Sequence, residues 1–182
     1  MKHFFTYVLL GIFALATVSS CVEDIDSGQF DDLSLVPALE ASLLYVEATE
    51  RLINLVSGST VYSNNFNFDA FSSDIFAERV IEGSVTYVVE NTTSKALEIT
   101  VELLDADDLL LDTEVFLVQP APTTILQRET FYGPSGRSID IIKNLSSFRV
   151  SAINLGDSTS TSSVSNPRIT VKSSGNFTVR LK

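Results

Sequence analysis

Strict alternation of apolar and polar side chains recurs along the chain. Leu97, Ile99, Val101 and Leu103 alternate with Glu98, Thr100 and Glu102. Val85, Tyr87 and Val89 alternate with Thr86 and Glu90, and Phe148, Val150 and Ala152 with Arg149 and Ser151. Leu111, Thr113, Val115 and Leu117 alternate with Asp112 and Glu114, which assigns the odd-numbered face of that segment to the core. A period of two is the signature of a strand with one buried and one wet face, as in antiparallel sheets. Asp105-Ala106-Asp107-Asp108 reads as a tight polar hairpin between two such segments. Residues 38–46 and 125–132 read as further strands; residues 38–56 also hold good helix formers, and Tyr45-Val46 and the preceding Pro37 tilt the reading toward strand.

The C-terminal stretch is decided by parity. Ile169, Val171, Phe177, Val179 and Leu181 all carry odd numbers. A two-residue hairpin at Ser174-Gly175 would turn Phe177 to the wrong face, because a slip of one residue exchanges the faces of a strand. One long strand bent at Gly175 is expected; a three-residue loop over 174–176 also satisfies the parity. Short helices are expected at residues 74–81, after Ser73, and 138–144, after Gly136. Residues 157–166 are rich in Ser and Thr and read as a mobile loop. About seven strands separated by polar turns, with one or two short helices, make an all-β antiparallel β-sandwich of Ig-like or Greek-key type over residues 36–182.

The N-terminus follows a different pattern. Met1-Lys2-His3 precedes an apolar run over residues 4–18, interrupted by Thr6, Gly11 and Thr17. Fifteen residues fall short of the roughly 20 that span a bilayer, but suit the apolar region of a signal peptide. The run ends in Val18-Ser19-Ser20-Cys21, which resembles a bacterial lipobox: an aliphatic residue, two small residues and a cysteine. That resemblance implies cleavage before Cys21, diacylglycerol on its thiol and acylation of the new α-amine. The competing reading is an ordinary secretory signal with an incidental cysteine. Residues 1–20 are thus expected to be a signal peptide. Residues 21–35, rich in Asp, Ser and Gly, are expected to be a flexible acidic tether. The acidic Glu23, Asp24 and Asp26 resemble the surface-export signal of Bacteroidota lipoproteins; the competing reading is a solvated spacer. The segment 85–118 is similar to Ig-like domains of bacterial envelope proteins. The whole arrangement resembles small Bacteroidota lipoproteins, a likeness that brings no activity with it. It implies a lipid-anchored protein of the outer membrane, facing the cell surface.

Composition narrows the chemistry. The chain of 182 residues has 12 Lys and Arg against 23 Asp and Glu, a net charge of −11. Cleavage after Ser20 would remove Lys2 and no acid. So acidic a surface is unsuited to nucleic acid, which needs a basic patch. Cys21, His3 and Met1 are the only residues of their types, and Trp is absent. Beyond Cys21 there is no imidazole, thiol or thioether. That excludes Ser-His-Asp and Cys-His catalysis and Cys/His zinc sites in the mature chain, and no cofactor or metal is expected.

The remaining candidates each have a bland competitor. Tyr62, Phe66, Phe68 and Phe71, among Asn and Asp, suggest a glycan- or peptide-binding loop; the competitor is a connection that tucks aromatics over the core. Asp157-Ser158-Thr159 matches the Bacteroidota O-glycosylation pattern, with Ser158 as acceptor. Asp105, Asp107, Asp108 and Asp112 suggest Ca²⁺, but Phe116 stands where an EF-hand-type Glu would be needed, and a solvated hairpin tip explains them. Paired carboxylates remain conceivable for glycoside hydrolysis, with no motif to single out a pair. The expectation is a non-catalytic interaction or structural module, held to the membrane by lipid at Cys21 and meeting an envelope protein partner. The alternative is a glycan- or peptide-binding lipoprotein using residues 62–71.

Overall fold

The computed structural model describes residues 34–56, 60–67, 74–122 and 125–181. The expected signal peptide, Cys21 and most of the expected tether lie outside these residues, as do Phe68 and Phe71. Among the described residues no helix is long and apolar enough to cross a membrane.

In chain order the elements are β1 (Ala38–Thr49), α1 (Glu50–Asn54), β2 (Thr60–Asn67), α2 (Asp74–Arg79), β3 (Val80–Asn91), β4 (Leu97–Leu104), β5 (Leu110–Val118), β6 (Leu126–Tyr132), α3 (Ile139–Asn144), β7 (Ser147–Asn154) and β8 (Arg168–Val179). They form two four-stranded sheets, ordered β1-β8-β3-β6 and β2-β7-β4-β5, with every pairing antiparallel. The pairs β1·β8, β2·β7, β3·β6 and β4·β5 each add to nine. The chain is one long ribbon doubled back at the β4–β5 hairpin and then rolled, so that β3 also meets β8 and β4 also meets β7. This doubled Greek key is the jelly-roll form of the β-sandwich. The all-β antiparallel sandwich expected from alternation is therefore what forms, with eight strands and three short helices among the described residues.

The alternating segments bury the expected faces almost throughout. Val85, Tyr87, Val89, Leu97, Ile99, Val101, Leu103, Phe148 and Val150 are all at most 1% exposed. β8 is a single strand of twelve residues, with Ile169, Val171, Phe177 and Val179 turned inward. Leu181 lies beyond it and is exposed. The strand is continuous at Gly175 because Phe177 occupies the space there. A side chain on Gly83 or Gly175 would run into that ring. Phe177 also meets Phe76 of α2 edge to face, with centroids 5.5 Å apart.

Four expectations are corrected. Strand β5 is inverted: Glu114, Phe116 and Val118 are buried, while Val115 and Leu117 are exposed. The core needs Phe116 and Val118, and the acidic side chains on that face are neutralised by arginines. Residues 60–67 form β2, an edge strand paired with β7, rather than a loop. β1 runs beyond residue 46 to Thr49, and the helix formers of residues 38–56 make only the short helix α1 after it. Residues 157–166 contain no regular element, yet they are tied down by the polar network described next.

Candidate functional site

Three polar assemblies stand out, at one pole of the sandwich, along one side and on one face. The pole is built by the β3–β4 turn, α1 and the loop before β8. Lys95, on the turn, has a fully buried side chain. Its Nζ donates to Asp157 Oδ1 at 2.8 Å, to the Ser160 carbonyl at 2.8 Å and to Ser160 Oγ at 2.5 Å. Glu50, 3% exposed at the start of α1, accepts from Ser94 N and Oγ at 2.5 and 2.6 Å and from Ser162 N at 2.8 Å. Burial favours raising the Glu50 pKa. The Ser94 hydroxyl, the backbone N–H groups of Ser162 and Ser94, and the Lys95 charge outweigh burial and lower it. Asp157 sits far below the usual carboxylate range because Lys95, then the N–H groups of Ser160 and Thr159, favour its charged form. Asn91 is buried beneath this turn. Its amide donates to the Lys95 and Gln119 carbonyls and its oxygen accepts from the Thr93 N–H and hydroxyl.

Both carboxylates have depressed pKa values in the fold, so the stability they contribute is present above their unfolded pKa of about 4 and lost as pH falls below it. The melting temperature is accordingly expected to be level from pH 7 to about 5 and to drop below about 4.5, less steeply in Asp157→Asn. A melting temperature that rises on acidification would contradict the arrangement. This measurement is a pH series of thermal unfolding curves.

Along the side, the edge strands β5 and β6 are clamped together. Glu114, 3% exposed, receives Arg128 at 2.8 Å, Arg137 at 2.8 Å and the Thr130 hydroxyl at 2.9 Å. Asp112 receives the Arg137 guanidinium and, at 3.0 Å, the Tyr132 hydroxyl. The Arg128 guanidinium lies 4.5 Å from the centroid of the Phe116 ring. Burial raises the Tyr87 and Tyr132 hydroxyls well above their ordinary pKa. This carboxylate pair is spent on its arginines.

The outer face of the first sheet is organised by register into rows across β1, β8, β3 and β6. One row is Glu40, Asn176, Ser84 and Phe131; the next is Ser42, Ser174, Thr86 and Glu129. Tyr45, Lys172, Val88 and Gln127 follow, then Glu47, Thr170 and Glu90. The central strands β8 and β3 bear mostly Ser, Thr and Asn, while the flanking strands bear larger side chains. The result is a line of depressions along the strands. They have volumes of about 340, 750 and 230 Å³, and neighbours share Tyr45 and Lys172, then Thr86 and Ser174. The largest reaches over β1, past Leu43 and Leu44, to Phe66 on β2.

Of the residues singled out from sequence, Tyr62 and Phe66 stand on β2, with Phe66 opposite Phe148 and packed on the core. Ser158 is half-buried in the turn that Asp157 pins. Asp105 caps its own hairpin, accepting from Asp107 N at 2.9 Å and Leu109 N at 2.8 Å. Among the described residues no group of three or more His, Cys, Asp or Glu is placed to hold a metal ion. The roles of Lys95, Glu50 and the two clamp arginines were not foreseen. Glu114 lying on the same parity as Phe116 was the available signal for the clamp.

No protein-family model and no curated protein sequence matches the chain. Among solved structures, it is similar to infectious bursal disease virus VP2 in a subviral particle, at 13% identity and a TM-score of 0.35. The match covers 82% of this chain and 32% of that one, so this chain spans about a third of the VP2 length. Turnip yellow mosaic virus gives 12% identity and a TM-score of 0.35 over 82% of each chain. Desmodium yellow mottle tymovirus gives 6% and 0.35 over 82% of this chain and 89% of that one.

Proposed function

We propose that this protein is a lipid-anchored lipoprotein of the outer membrane, facing the cell surface, whose jelly-roll domain serves as a non-catalytic interaction or structural module. The observation that carries the reading is Val18-Ser19-Ser20-Cys21 at the end of an apolar run, with the only cysteine of the chain at the lipidation position. Two or more acyl chains anchor stably where one binds only marginally. The non-catalytic part is supported by the state of the acids. The Asp112 and Glu114 pair is saturated by Arg128, Arg137, Thr130 and Tyr132, and Glu50 is committed to backbone and hydroxyl donors. A glycosidase needs one carboxyl free to protonate a leaving group and another free to attack or activate water. The partners are the membrane and an envelope protein, with nucleic acid disfavoured by charge.

The test is Cys21→Ser, followed by metabolic labelling with a fatty-acid analogue and membrane fractionation. Label is expected on the wild type alone, with the variant released from the membrane fraction. Label retained by the variant overturns the anchoring.

A further inference from the structure

We propose that the outer face of the β1-β8-β3-β6 sheet is a binding trough for a linear, uncharged oligosaccharide. The site is centred on the sheet face, and only its largest depression touches, at residues 65–67, the segment where sequence alone placed a ligand. It rests on the reading of the domain as an interaction module.

From Thr170 to Asn176 on β8 the trough runs about 20 Å at the rise of an extended strand, long enough for several sugar rings. Its width between the backbones of β1 and β6 is about 14 Å, three strand spacings. At one end Ser174 and Thr86 present hydroxyls and Asn176 an amide that also donates to Glu40 at 3.3 Å, with Ser84, 9% exposed, beneath them; each of these groups can both donate and accept. Lys172 adds a donor at the middle. Glu82 and Glu90 on the floor strand β3 and Glu129 on the β6 wall are exposed and have no hydrogen-bonded or ion-paired partner among the described residues. Two aromatic rings stand exposed on opposite walls, Tyr45 at 60% and Phe131 at 52%. They are about 20 Å apart on the diagonal, from the strand spacing and rise. Lys172 Nζ lies 5.8 Å from the centroid of the Tyr45 ring, and the Tyr45 hydroxyl donates to Glu47 at 3.0 Å. One face of the ring thus meets the Lys172 ammonium, and its hydroxyl is paired with Glu47.

The same features select among ligands. An extended peptide that adds a strand needs a free sheet edge. Here β8 and β3 are paired on both sides, so the floor offers side chains alone. An amphipathic helix needs an apolar groove; on the central strands β8 and β3 the rows hold only Val88 among large apolar side chains, and Leu43, Leu44 and Phe66 line the largest depression only where it passes over β1 to β2. Phosphate, sulfate or uronate groups would meet Glu40, Glu47, Glu82, Glu90 and Glu129 against Lys172 and Arg168. A polyol with apolar ring faces meets hydroxyl, amide and carboxylate partners in the middle and aromatic faces at either end. Aromatic side chains suit such ligands because they combine a broad apolar face with, in Tyr, a polar handle.

The experiment is isothermal titration of the full chain, in a detergent without a sugar headgroup, with neutral hexasaccharides. The probes are β-1,4-glucan, α-1,4-glucan, β-1,3-glucan, β-1,4-xylan and β-1,4-mannan. A heparin-derived hexasaccharide and a Ser/Thr-rich peptide serve as competitors. At least one neutral hexasaccharide is expected to bind, with little dependence on salt. Tyr45→Ala and Phe131→Ala are each expected to weaken it about tenfold, the loss of one aromatic contact. Ser174→Trp, which fills the floor, is expected to abolish it. All three positions are exposed, so unchanged melting temperatures confirm that the fold is intact. Failure of every neutral hexasaccharide to bind overturns the proposal. So does binding that survives all three variants, or that the heparin fragment or the peptide displaces with equal affinity. None of these outcomes touches the lipidation of Cys21, which is read separately by labelling.

Discussion

Replacing Lys95 with methionine is expected to destabilise the domain by about 3 kcal/mol, read as a lower urea midpoint with an unchanged slope. The volume is nearly preserved, so packing is not what is lost. The loss is the cation on which the pole depends. Lys95 Nζ holds Asp157 and both the carbonyl and the hydroxyl of Ser160, and its charge lies close to the buried Glu50. Asp157 can turn to water, because its side chain is 58% exposed. Glu50 cannot, and a buried carboxylate left without a nearby cation is costly. Adding Glu50→Gln to Lys95→Met should therefore cost less than the two single effects combined, by at least about 1 kcal/mol. Strict additivity would mean that the two charges are independent. The loop over residues 157–166 should become the first region to exchange its amide hydrogens in Lys95→Met, since its anchor points are Lys95 and Glu50.

The second large effect is expected at Gly83. Valine there should cost about 3 kcal/mol, at the upper end of what overpacking a core produces. The backbone conformation is ordinary, so strain in φ is not the cause. A Cβ on Gly83 would lie 2.7 Å from the Asn176 carbonyl oxygen and collide with the Phe177 ring. That ring is 2% exposed and wedged against Phe76, with no free space to move into. Phe177→Ala alone should cost about 4 kcal/mol as a large-to-small core substitution. In the double variant Gly83→Val/Phe177→Ala the valine occupies part of the space that the ring vacates. The sum of the single effects should exceed the measured cost by 1 kcal/mol or more. Equal values would show that the valine clashes with backbone alone.

Alternation was a sound guide wherever the inward face was uniformly apolar. β3, β4, β7 and β8 were legible for that reason, and parity fixed β8 as one strand without knowledge of its partners. It misled at β5, where both faces carry apolar side chains and the inward one also carries Asp112 and Glu114. Periodicity weighs hydrophobicity and cannot see that Arg128 and Arg137, supplied from β6 and the turn after it, make carboxylates acceptable inside. β2 was hidden because Asn64, Asn65 and Asn67 disfavour strands in isolation, while pairing with β7 overrides that preference. The loop before β8 looked mobile from its Ser and Thr content. Its order comes from Lys95 and Glu50, 62 and 112 residues distant from the groups they hold. The trough was invisible for a related reason: its rows join residues from four strands, and register across a sheet is written nowhere in a single segment.

The rolled ribbon also has a kinetic consequence. β1 precedes the other described strands in the chain, yet its partner in the sheet is β8, which follows them all; Leu39 lies opposite Phe177. The hydrogen bonds of β1 cannot form until nearly the whole domain exists. Such non-local pairing slows folding, because chain entropy is surrendered before contacts repay it. The β4–β5 hairpin, closed by residues only a few positions apart, is the natural nucleus, with closure spreading outward through β3·β6 and β2·β7 to β1·β8 last. With β1·β8 closing last, the same ordering makes the β1 edge the first part of the sandwich to open.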